Sequence, residues 1–75
     1  MKITKIKDTE IRRAKNDDGT VYAIIGEVKE LLEKEIIFPD NTAGNESKWL
    51  GIEDSGAYIR EFNSLDDAKN YYRSL

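Results

Sequence analysis

The chain has 75 residues, a net charge of −3 and neither cysteine nor histidine. That excludes disulfides, thiolate metal sites and thiol nucleophiles, and removes the commonest general base. At this length it makes one small domain without covalent staples, which relies on its hydrophobic core and which self-association could extend.

No apolar run approaches the roughly 18 residues of a membrane span. The opening MKITKIKDTE also lacks the apolar stretch of a signal peptide. A cytoplasmic protein with no membrane attachment is therefore expected. The charge is uneven: residues 1–15 carry six basic side chains against two acidic ones (+4), and the rest carry six against thirteen (−7).

KITKIK reads as a strand, with Asp8-Thr9 marking a break before the next. EIRRA and TVYAIIGEV flank KNDDGT, where Asn, Asp and Gly19 suit turn dihedrals, so a β-hairpin is expected. Alternation puts Val21, Ala23 and Ile25 on one face of a central strand, with Tyr22 and Ile24 on the other. At GEVKELLEKEIIF the period changes. Val28, Leu31, Leu32 and Ile36 follow one helical face, which predicts a helix over 28–35 ended by Pro39.

PDNTAGNES has nothing to bury and reads as a surface loop. Its Asn45-Glu46-Ser47 spells a glycosylation sequon, which matters only in a secreted protein. KWLGIEDSGAYIREF reads as a second hairpin turning at Asp54-Ser55-Gly56. The closing NSLDDAKNYYRSL begins with an N-cap candidate, Ser64, and has Asp67 three residues on. Leu65, Ala68, Tyr71, Tyr72 and Leu75 share its apolar stripe.

The predicted class is α+β: an antiparallel sheet of four to five strands in two hairpins, with the C-terminal helix on one face, in the order β-β-β-α-β-β-α. The expected core is Ile3, Val21, Ala23, Ile25, Leu32, Leu50, Ile52, Ile59, Leu65, Ala68 and Tyr72.

The acid pairs Asp17-Asp18, Glu53-Asp54 and Asp66-Asp67 fall at turns or a helix start, where turn chemistry and capping account for them. No calcium loop, Walker loop or dinucleotide fingerprint occurs. Neither an enzyme nor a cofactor or metal site is expected.

Two binding readings remain. In the first, an acidic surface (Glu27, Glu30, Glu33, Glu35) and the 39–49 loop recognise another protein, with Glu30, Glu33, Asp40, Asn45 and Trp49 as candidate contacts; an inhibitor of a nucleic-acid-binding machine, with the acids mimicking phosphates, is one form of this reading. Trp and Tyr suit such interfaces, although a lone Trp is also the natural core filler of a small domain. The alternative is nucleic acid, bound by Lys2, Lys5, Lys7, Arg12, Arg13 and Lys15 with Tyr22, Tyr58 and Arg60 as stacking groups. Against it stand the acidic overall balance and the use of lysines to protect sheet edges.

The residues Phe62, Ser64, Asp67, Ala68 and Tyr71 resemble the strand-then-helix finish of AP2-like and integrase arm-binding DNA domains. That pattern is shared by capped helices that follow a strand. Trp49-Leu50-Gly51 also echoes AP2 domains, but here a whole hairpin separates it from the helix, so the likeness assigns no family.

Overall fold

Turn chemistry sets the strands. The computed structural model describes residues 1–38 and 48–75. Five strands, β1 (Lys2–Lys5), β2 (Arg12–Lys15), β3 (Val21–Glu27), β4 (Trp49–Glu53) and β5 (Tyr58–Phe62), form one antiparallel sheet with every strand beside its sequence neighbour. Helix α1 (Val28–Glu33) lies between β3 and β4, and helix α2 (Leu65–Arg73) ends the chain, in the order expected from the sequence. In the first turn Thr9 Oγ1 donates to the Ile6 carbonyl at 2.9 Å and accepts from the Ile11 N–H at 3.0 Å. In the second, Gly19 takes φ +88° and Asp18 accepts from the Thr20 hydroxyl at 2.7 Å. The third, Asp54–Gly56, is a left-handed turn, with Asp54, Ser55 and Gly56 at φ +53°, +55° and +97°.

Both faces of the sheet are covered, not one. Under α2 lie Ala14, Ala23 and Ile25, with Ala68 and Tyr72 from the helix and Ile3, Trp49, Phe62, Leu65 and Tyr71 around them. On the other face Ile11, Leu50 and Ile52 pack with Val28 and Leu31 of α1 and with Ile37, beside Ile24 and Ile59. Each helix is seated on a glycine. A Cβ on Gly51 would stand 1.9 Å from the Tyr72 hydroxyl, and one on Gly26 would stand 2.7 Å from Leu31 Cδ2. The missing side chains let the helices settle onto the sheet, and fully burying such apolar groups contributes about 1.5–3 kcal/mol each. Helix α2 starts as its cap foretold: Ser64 Oγ accepts from the Asp67 N–H at 3.1 Å.

Three expectations change. The β2–β3 register steps from Ala14↔Ala23 to Lys15↔Val21, so Tyr22 is an extra, bulged residue. A bulge interrupts strict alternation: Tyr22 lies with its ring 6.1 Å from that of Tyr72, and Val21 is 48% exposed and outside the core. Second, α1 stops at Glu33. The Glu35 N–H bonds the Leu32 carbonyl and the Ile36 N–H that of Leu31, with Glu35 at φ +58°, a Schellman ending. That ending leaves Ile36 exposed and buries Leu31 and Ile37, while Leu32 is only partly covered. Third, Leu75 lies past the end of α2 and is 54% exposed, so it takes no part in the buried stripe.

Candidate functional site

The β3–α1 junction gathers acidic side chains around the tryptophan. Glu27 is the last residue of β3 and pairs in register with Trp49, the first of β4. The chain passes straight into α1, where Glu30 and Glu33 follow at helical three-residue steps. The first turn closes in from the side: the Glu10 N–H donates to both carboxylate oxygens of Glu30, at 3.1 and 3.4 Å. Glu10, Glu27, Lys29, Glu30, Glu33 and Trp49 together line an open depression of about 270 Å³. Trp49 packs one side against the α2 core and is not fully covered, so it serves as both core filler and wall.

Three of the five protein-contact candidates, Glu30, Glu33 and Trp49, are thus brought together. Asp40 and Asn45, and residues 39–47 of the loop, lie outside the described residues.

The six basic residues do not form one stripe. Lys5 and Arg12 are cross-strand partners on the α2 side. Both are engaged by Glu10, Lys5 Nζ at 2.8 Å and Arg12 Nη2 at 3.7 Å. Their hydrogen bonds and charge, chiefly those of Lys5, hold the Glu10 carboxyl below the usual carboxylate range. The pairs Lys2↔Lys15 and Thr4↔Arg13 put Lys2, Lys15 and Arg13 on the opposite face, and Lys7 sits in the turn. Among the described residues these four make no ion pair.

A second cluster was foreseen only in part. Glu53 stands beside Asp54, but it is the last residue of β4, faces α2 and is 8% exposed. Turn chemistry accounts for Asp54 and not for Glu53. The Tyr72 hydroxyl donates to Glu53 Oε2 at 2.7 Å, and Arg60 Nε donates to the same oxygen at 3.1 Å. The Arg60 guanidinium lies 4.4 Å from the Tyr71 ring centre and 5.0 Å from that of Tyr58, within cation–π range. Tyr22, Tyr58 and Arg60 therefore do converge, but around a carboxylate. Burial, then the bond to Glu53, pushes the Tyr72 phenol far up, and the Glu53 charge raises Tyr22. Beyond Glu53 a depression of about 440 Å³ opens, lined by Val21, Tyr22, Glu53, Asp54, Ser55 and Tyr58. The available sequence signal was the alternation Trp49, Gly51, Glu53, which puts an acid at an inward strand position.

No family model, curated protein or solved structure matches this chain.

Proposed function

We propose that the chain is a non-enzymatic binding module that recognises a basic segment of another protein at the Trp49 depression. The observation that carries this is the convergence of four acids, Glu10, Glu27, Glu30 and Glu33, against the single base Lys29, from three parts of the fold, around one incompletely buried tryptophan. Aromatic anchors supply contact area in interfaces, and like-signed rims steer and select partners of opposite charge. The protein has one tryptophan, and it lines this depression, so its emission responds to a ligand seated there.

Titration with an arginine-rich peptide should shift Trp49 emission saturably. The affinity should fall with salt and drop several-fold in Glu33→Lys, an exposed change that leaves the core intact. Unchanged emission, or equal affinity in Glu33→Lys, refutes the reading. Tight, steeply salt-dependent retention of the folded protein on heparin would instead favour nucleic acid bound by Lys2, Lys7, Arg13 and Lys15.

A further inference from the structure

The Trp49 depression lies where β3 ends and β4 begins. The Glu53 depression lies at the other end of the same strand pair, where β3 begins and β4 ends. We infer that this second depression is a binding site for an organic cation of the quaternary-ammonium class, such as a methylated lysine side chain, held between Tyr22 and Tyr58 against Glu53 and Asp54.

Its walls select that chemistry. Two aromatic residues line it and stay open to solvent, Tyr22 at 38% and Tyr58 at 52% exposure. Two carboxylates line it and no lysine or arginine does. Arg60 is outside the lining but bonded to Glu53 and 5.0 Å from the Tyr58 ring centre, so Asp54 supplies the uncompensated charge and a ligand meets the part of Tyr58 that Arg60 leaves open.

Glu53 is a fixed, nearly buried charge. Both of its donors, Arg60 and Tyr72, converge on Oε2 and hold the carboxylate in place, where it acts on a cation that has no N–H through charge alone. Asp54 carries no ion pair among the described residues, and the turn holds its backbone at φ +53°. Aromatic faces attract weakly hydrated cations through the ring quadrupole, and nearby carboxylates add charge attraction. A divalent metal fits less well: this lining offers only two carboxylates, among the described residues no group of three His, Cys, Asp or Glu side chains could hold a metal ion, and tyrosine rings supply no oxygen cage.

The test titrates the full chain with N-acetyl-Nε-trimethyllysine amide and, in parallel, with choline and a neutral tert-butyl isostere. Two-dimensional amide NMR reads the shifts. Saturable millimolar binding is expected, with shifts at Tyr22, Asp54, Ser55 and Tyr58 and an affinity at least fivefold below the cation's for the isostere. The ratio of trimethyllysine to choline affinity tells a protein side chain from a small solute. Tyr58→Leu, at a half-exposed position, should lose binding at least tenfold. Asp54→Asn keeps a residue that tolerates the left-handed turn and should lose it several-fold. Equal binding of the isostere, or no saturable shift in these residues, overturns the inference. The readout is independent of Trp49 emission, so this site and the Trp49 site can fail separately.

Discussion

Adding one methyl group at Gly51 tests how α2 is held on the sheet. A Cβ there would meet Tyr72 Oη at 1.9 Å, Cζ at 2.8 Å and Cε2 at 2.9 Å. Neither partner yields easily. The hydroxyl is tied to Glu53 Oε2 at 2.7 Å, and the helix that carries it rests on Ala68, which is fully buried. Relief requires Tyr72 to rotate or α2 to lift, and either breaks the bond to the carboxylate. A hydrogen bond to a charged group is worth about 1.5–3 kcal/mol. Overpacking adds about 1–3 kcal/mol. Alanine returns about 0.5–1 kcal/mol over glycine within a strand.

The net loss for Gly51→Ala is therefore about 3 kcal/mol, a large share of the roughly 5–15 kcal/mol of a small domain. Urea melts followed by far-ultraviolet circular dichroism measure it. The partner substitution Tyr72→Phe removes both the nearest atom and the hydrogen bond. Made on the Gly51→Ala background it should cost about 1–3 kcal/mol less than on the wild type. A Gly51→Ala protein within about 0.5 kcal/mol of wild type, or strict additivity of the two changes, refutes this account.

Glu35→Gly should stabilise the protein by about 1 kcal/mol, because Glu35 occupies the left-handed position of the Schellman ending, where only glycine escapes the steric cost; thermal melts should move up by roughly 4–8 °C. Ser64→Ala should cost about 1 kcal/mol by orphaning the Asp67 N–H, and Ser64→Asp should restore most of it, again by urea melts. Raising pH should destabilise the fold. Tyr22 and Tyr72 both have raised phenol pKa values, so their contribution is complete below the ordinary tyrosine range near 10 and is lost above it as the unfolded chain ionises first. For Tyr72 the slope is at most about 1.4 kcal/mol per pH unit, and Tyr72→Phe should flatten it in melts taken at rising alkaline pH.

Local signals carried the fold. Ser64 with Asp67, followed by Ala68, Tyr71 and Tyr72 at helical spacing, specifies α2 within one short window, and Gly19 and Gly56 mark two of the turns. What failed was not local. Nothing in TVYAIIGEV announces that Tyr22 is skipped in pairing; the bulge is a property of the β2–β3 register, and it moved Val21 out of the core. Helix α1 was drawn too long because its terminator is Glu35, a residue with no preference for the left-handed conformation it adopts. At the Trp49 depression, helical spacing gave Glu30 and Glu33, but Glu10 arrives through a fold contact twenty residues away in sequence. The Glu53–Arg60–Tyr72 cluster needed the β4–β5 register and the seat of α2 together, and Glu53 stands next to an acid that turn chemistry already explained.

That cluster bears on why a small domain buries a charge at all. Desolvating Glu53 and partly desolvating Arg60 offsets much of their attraction, and apolar pairs of similar volume often serve stability as well or better. Stability therefore gives a weak reason for an acid at an inward strand position. Its neighbours give a stronger one. The carboxylate fixes the Tyr72 hydroxyl over Gly51 and orients Arg60 between Tyr58 and Tyr71. The same residue lines one depression with the two open tyrosines, Tyr22 and Tyr58. A departure from alternation that costs stability is what a functional position produces, and here it coincides with the depression whose lining has aromatic rings, two carboxylates and no cation.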